Sequence, residues 1–239
     1  MNKFVEKLSG LRDLGPAEIA AVEALTSRPR KYRAKHDLIR EGDAPGPVFV
    51  MLEGWACRYK ILPNGGRQIV AFLMPGDACD LHTNMVTEMD HSIQTVSAAS
   101  VATIGRSDMN EAMARYPDFA SAMYIAQVIN EGTMRAWIVS MGRRSSIERV
   151  AHLTCELYIR LRKIGLSDDG RIELPLSQIV LADALGMTSV HLNRVFKELK
   201  SSKIMALSRG RLEILDLDKL VEIAGFDQNY LHRRTRHWT

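Results

Sequence analysis

Residues 176–199 read LSQIVLADALGMTSVHLNRVFKEL, and the fold of the chain turns on them. Ile179, Leu181, Ala182 and Leu185 supply an apolar stripe and Ser177 stands where an N-cap belongs, so the spacing predicts a helix over about 177–185. Gly186 closes it, because glycine takes the left-handed conformation that a helix end requires. Met187 fills the turn, and Thr188 or Ser189 caps a second helix that runs to about Lys200. Leu192, Val195, Phe196 and Leu199 recur at i, i+3, i+4 and i+7 and mark its buried face. The opposite face carries Ser189, Val190, His191, Asn193, Arg194 and Lys197. Small, polar and basic, it suits a helix that enters the major groove of double-stranded DNA and touches base edges. Taken alone, two helices about a glycine turn are equally any helical hairpin with a solvated face.

The residues after this pair of helices narrow the choice. Ser201-Ser202-Lys203 ends the second helix, and Ile204–Leu207 and Arg211–Leu215 read as two strands about Ser208-Arg209-Gly210. The hairpin has a basic tip, with Arg209 and Arg211 placed to meet phosphates. With the amphipathic segment SIERVAHLTCELYIRLRKIGL upstream (146–166), the pattern is that of a winged helix. From Arg143 onward there are 17 Lys and Arg against 12 Asp and Glu, whereas residues 1–142 hold 15 against 16. The surplus positive charge of the chain, +4 in all, thus lies in the half with the helix-turn-helix. Thr188, Ser189, Val190, His191, Asn193, Arg194, Lys197, Arg209 and Arg211 are the candidate DNA-binding residues.

Working outward toward the N-terminus, Gly142-Arg143-Arg144-Ser145-Ser146 reads as a hinge. Before it lies a long helix opened by Pro117-Asp118, and before that a shorter one from about Ser107. In the long helix Phe119, Met123, Ala126, Asn130, Thr133, Trp137 and Ser140 alternate at spacings of four and three, a heptad seam with polar interruptions. The same spacing serves an amphipathic helix packed on its own domain. A two-fold protein matches a two-fold DNA site, which favours a homodimer with Met123, Ala126, Asn130, Thr133 and Trp137 at its interface. Residues 30–106 alternate short strand-like runs with Gly and Pro punctuation, including the hairpin signal Pro63-Asn64-Gly65-Gly66, which predicts an antiparallel β-sandwich or barrel-like roll. Two short helices precede it, the second opened by Pro16. Beyond the wing, DLDKLVEIAGF is a short helix, and the tail HRRTRHWT is basic and expected to be loose. The expected fold is α+β in three parts: a β-roll domain with an N-terminal helix over 1–115, a dimerisation helix over 116–142 and a winged helix-turn-helix domain over 143–239.

The 239 residues, 46% hydrophobic and 25% charged, exclude a disordered chain. No apolar run is long enough to span a bilayer and no signal-peptide core opens the sequence, so a cytoplasmic protein with no membrane partner is expected. Cys57, Cys79 and Cys155 lack the spacing of a metal site and are expected to be reduced structural thiols. There is no phosphate-binding glycine loop or nucleophile elbow, and the one conspicuous acidic pair, Asp168-Asp169, sits in a turn without a histidine or nucleophile, so no catalytic site is expected.

A β-roll, a long helix, a hinge and a winged helix, in that order, resemble the Crp/Fnr family of bacterial transcription regulators. The resemblance covers nearly the whole chain and is carried by Glu41-Gly42-Asp43, Gly54, the turn at 63–66, Pro75-Gly76-Asp77 and LADALGMTSVHLNRVFKEL. It implies a roll of the cyclic-nucleotide-binding type, a homodimer on a palindromic promoter site, and contact with RNA polymerase. It also implies that Arg194 occupies the position of the family's base-reading arginine, and that Val190 stands where a glutamate is often found.

The effector segment departs from the family's best-known form. Cyclic-nucleotide binders carry Gly-Glu shortly after the turn that resembles Pro75-Gly76-Asp77, and an arginine followed by Ser or Thr about ten residues later. Here Asp80-Leu81 and His91-Ser92 stand in those places. Leu81 cannot accept a ribose hydrogen bond, and His91 is a pH-dependent substitute for a permanent charge. Asp80, Leu81, His82, His91 and Ser92 are thus the candidate effector pocket, with cyclic AMP not expected in it. No cysteine precedes Cys57, which removes the family's iron–sulfur arrangement, and Cys79 with His82 only approximates the haem ligands of the carbon-monoxide sensors. No cofactor or metal is expected. The other readings of the chain are a cyclic-nucleotide- or haem-responsive regulator and a module whose output is a protein contact.

Overall fold

The computed structural model describes residues 2–79, 81 and 86–231. The chain divides into two compact units, residues 1–127 and 128–239.

In the first unit, helices α1 (Lys3–Ser9) and α2 (Pro16–Leu25) precede eight strands: β1 (Arg30–Tyr32), β2 (Asp37–Ile39), β3 (Val48–Glu53), β4 (Ala56–Ile61), β5 (Arg67–Leu73), β6 (Ala78–Cys79), β7 (Ser92–Thr95) and β8 (Ala99–Ile104). They form two antiparallel sheets, ordered β1-β8-β3-β6 and β2-β7-β4-β5. The turn at 63–66 joins β4 to β5 through Leu62 N–H to Gly66 O at 2.8 Å and Gly66 N–H to Asn64 Oδ1 at 2.9 Å, as the sequence predicts. Strand β3 is buried on both faces, which explains its unbroken apolar run. Its Phe49 and Met51 point between the sheets, joined by Ile93, Ala99, Val101 and Leu73. Val48 and Val50 point the other way, with Ala102 and Ile104, onto α1, α2, α3 (Arg106–Arg115) and the first turns of α4 (Pro117–Arg143).

Helix α4 is one continuous helix of 27 residues, about 40 Å long. Its residues 117–127 fall in the first unit and 128–143 in the second. The expected hinge is shorter than its sequence suggests, because Gly142 and Arg143 are still helical.

The second unit is built around α5 (Ser146–Lys163), capped by Ser145 in a capping box with Glu148. The Ser145 N–H donates to the Glu148 carboxylate at 2.6 Å, and these hydrogen bonds hold that carboxyl below its usual pKa. Next come strands β9 (Ser167–Asp168) and β10 (Arg171–Glu173), then α6 (Gln178–Leu185), α7 (Ser189–Ser201), β11 (Met205–Ser208), β12 (Arg211–Ile214), α8 (Leu217–Ala224) and a 3₁₀ turn at Gln228–Leu231. The sheet order is β11-β12-β10-β9. The segment RIELPL, which reads as a mere approach to α6, therefore supplies a strand of the wing sheet. The basic tail, residues 232–239, lies outside the described residues.

Candidate nucleic-acid interface

Local signals set the bounds of the helix-turn-helix. Ser177 Oγ accepts the Val180 N–H at 3.3 Å at the start of α6, and Gly186 ends it at φ 60°, ψ 44°. An L side chain there would be strained, which is why glycine occupies the turn. Thr188, not Ser189, caps α7, its Oγ1 accepting the His191 N–H at 3.2 Å. Leu192, Val195 and Leu199 are buried, and Phe196 is half-buried beside them.

Thr188, Val190, His191, Arg194 and Lys197 are exposed on the outer face of α7, with Ser189 and Asn193 half-exposed. Val190 keeps 65% of its surface exposed, an apolar group offered to solvent at the start of the helix. Among the described residues neither Arg194 nor Lys197 has an acidic partner, Glu198 included. His191 is engaged: its Nε2 lies 2.6 Å from Ser146 Oγ at the first turn of α5. In the wing, Arg209 is exposed at φ 50° on the β11–β12 turn. Arg211 is not a free cation, since its guanidinium lies 3.5 Å from Glu173 across the sheet; both groups are solvent-exposed, so the pair is weak. Arg171 donates to Glu213 from two nitrogens, at 2.9 and 3.0 Å.

The residues expected to form a dimer seam do not share an open face. Met123 is in the core of the first unit, Thr133 is buried, and Ala126 and Asn130 are half-buried. Trp137 turns toward its own chain, and its indole N–H donates to Glu156 Oε2 at 2.9 Å. Within the single chain Met123 and Thr133 are therefore already covered, and Trp137 already has a hydrogen-bond partner. Spacings of four and three occur wherever a helix buries one face, whether against a partner or against its own domain. The exposed apolar residues of α4 lie elsewhere: Tyr124 in the first unit, and Val128, Met134, Ile138 and Val139 in the second.

Sequence reasoning also missed Glu156, which is fully buried in α5. Burial pushes its carboxyl pKa up, opposed by Arg160, whose guanidinium lies 3.2 Å from Oε1, and by the Trp137 and Tyr230 donors. A signal was present, since Arg149, His152, Glu156, Arg160 and Lys163 form a polar stripe at helical spacing down α5. His152 is buried against Phe226 and Tyr230, and desolvation, with the nearby charge of Arg144, pushes its pKa down to about 4.

Three of the expected effector residues, Leu81, His91 and Ser92, lie among the described residues. Leu81 packs against the apolar core, and the Ser92 hydroxyl accepts the Glu41 N–H at 2.9 Å. His91 Nδ1 lies 2.7 Å from Asp90. Asp80 and His82 lie outside the described residues. Cys79 is buried in β6, with its thiol facing Phe49 O at 3.4 Å. Among the described residues no cluster could hold a metal ion, and no helix is long and apolar enough to cross a membrane.

Residues 148–223 match the family model of the Crp-like helix-turn-helix domain, and residues 29–116 that of the cyclic nucleotide-binding domain. The chain is 28% identical over 212 residues to the nitrogen fixation regulation protein FixK of Bradyrhizobium diazoefficiens, covering 88% of this chain and 87% of that one. It is 27% identical to the transcriptional activatory protein AadR of Rhodopseudomonas palustris, covering 85% and 84%. The solved structure of FixK2 from Bradyrhizobium japonicum has a similar fold, with a TM-score of 0.73 at 23% identity, covering 82% of this chain and 96% of that one.

Proposed function

We propose that the chain is a transcription regulator of the Crp/Fnr type that acts as a homodimer on a two-fold promoter site, reading bases with the outer face of α7 and holding phosphates with Lys197 and the wing. The observation that carries this reading is Arg194: exposed, on a doubly capped helix pair, and without an acidic partner among the described residues. The dimer uses the exposed apolar residues of α4, and RNA polymerase is the partner once promoter DNA is bound. The protein works in the cytoplasm, where that DNA is. It acts without cyclic AMP, since Leu81 is committed to the core and the Ser92 hydroxyl to the Glu41 N–H.

The test is a mobility-shift series on genomic promoter fragments across a range of salt. Binding without any added nucleotide, with a log–log salt slope of about −0.9 per phosphate neutralised, is the expected result. Cyclic AMP should leave the affinity unchanged. A flat salt response would favour a module that contacts protein, and binding that appears only with cyclic AMP would overturn the effector part of the reading.

A further inference from the structure

Trp137 and Tyr230, 93 residues apart in the chain, reach the same buried atom. The Trp137 indole N–H on α4 donates to Glu156 Oε2 at 2.9 Å, and the Tyr230 hydroxyl in the Gln228–Leu231 turn donates to it at 3.1 Å. Glu156 is fully buried in the middle of α5 and takes its third partner, Arg160, from its own helix. The turn that carries Tyr230 is held on both sides. Lys163 Nζ donates to Leu231 O at 2.8 Å, the Tyr230 ring stacks on His152 at 5.9 Å, and Phe226 meets it edge-on. It also lies hard against α4, where a Cβ added at Gly132 would come within 2.9 Å of Tyr230 O. One carboxylate thus joins α4, α5 and the C-terminal turn, all within the second unit.

The short link after α4 is fastened as well. The Arg144 side chain donates to Ala224 O at the end of α8, at 3.2 Å. Arg149 donates to Arg144 O at 3.0 Å and to Leu185 O, the last carbonyl of α6, at 3.2 Å. Hydrogen bonds thus tie α4 at Trp137 to α5, and tie the link after α4 and the start of α5 to α8 and to the end of α6. The outward side of that same stretch of α4 carries Met134 and Ile138, the latter 71% exposed.

We propose that Trp137, Glu156 and Tyr230 are positioning residues that bolt the C-terminal half of α4 to the DNA-reading helices and so fix the separation of the two half-sites that a dimer accepts. This rests on the reading that a dimer formed along α4 binds two-fold DNA. Adding one base pair between half-sites moves the second by about 3.4 Å and turns it by about 34° about the helix axis. A rigid joint refuses that displacement, and a loosened one follows it.

The experiment is a selection by the full-length protein from a library of inverted half-sites with spacers of varied length. The wild type is compared with Trp137→Phe, Tyr230→Phe and Gly132→Ala. The first two each remove one donor and keep an aromatic ring, and the third crowds the Tyr230 backbone. The wild type should select one spacer, with binding falling about tenfold for one base pair more or less. Each variant should bind the neighbouring spacers within about threefold of the best one, while the half-site sequence stays the same. A purely structural role would lower the folded fraction and total binding and leave the spacer preference intact. Should Trp137→Phe fail to fold, Tyr230→Phe, which deletes a single hydroxyl, carries the test. Variants that keep the wild-type spacer preference would overturn the inference alone. A wild type that selects no inverted repeat would overturn the dimer reading and the inference with it.

Discussion

Arg194 is the side chain on which sequence recognition should depend most. A guanidinium at this place on α7 can donate two hydrogen bonds to guanine O6 and N7, and among the described residues it has no acid to leave first. Arg194→Ala should cost about 1–3 kcal/mol at the natural site and relax the preference at one base pair. Lys197→Ala should weaken all sequences alike and reduce the salt slope by about one. Selection and salt titration of the two variants separate the roles, and an Arg194→Ala protein with wild-type sequence preference would assign this arginine to the backbone. Val190, 65% exposed, lacks an acceptor for cytosine and can only pack on a thymine methyl. These outer-face residues were legible in the sequence because caps, a turn glycine and a 3.6 period are local signals. Trp137 was not, because a heptad spacing does not say which body the face meets. Neither was Arg211, whose contact with Glu173 depends on a strand pairing the sequence did not reveal.

At the level of elements, α5 does more than support the reading helix. It carries buried His152 as well as Glu156, and His152 stays neutral because burial pushes its pKa down to about 4 from an ordinary 6.5. The unfolded chain takes up a proton on this ring below about pH 6.5 and the folded chain does not, so the stabilisation present above that pH drains away as pH falls toward about 4. The loss is on the order of 3 kcal/mol at most. Urea unfolding between pH 7.5 and 4 should therefore show a steeper fall for the wild type than for His152→Phe, whose ring keeps the contacts with Phe226 and Tyr230 but does not titrate. Equal slopes would place the acid sensitivity elsewhere. Element type was readable for the long helices and the β4–β5 and β11–β12 hairpins, where period and turn chemistry agree. Strands β6, β9 and β10, of two or three residues each, were not, since so short a run shows no period and exists only through its neighbours.

For the whole molecule, the order of roll, long helix and winged helix could be read from the chain because each part announces itself with a different hydrophobic period. The boundary between compact units falls at 127/128, inside an uninterrupted helix that no breaker residue marks. That placement gives the second unit its own share of exposed apolar surface on α4, with Val128, Met134, Ile138 and Val139 all at least 45% exposed. Leaving such side chains in water forgoes about 1.5–3 kcal/mol for each that could be fully buried. A second copy of the same helix, related by a two-fold axis, offers matching side chains to cover them. Ile138 is the most exposed of the set, at 71%, and touches least of its own chain. Ile138→Glu should therefore leave the fold of each unit intact by circular dichroism while shifting sedimentation from dimer toward monomer at micromolar concentration. DNA affinity for a two-fold site should fall with it, because each monomer then binds one half-site alone. Trp137→Glu is the contrasting variant. It would set a second carboxylate beside buried Glu156, and its first effect should be loss of thermal stability in the second unit. If Ile138→Glu sediments as the wild type does, the dimer is not built on this face of α4.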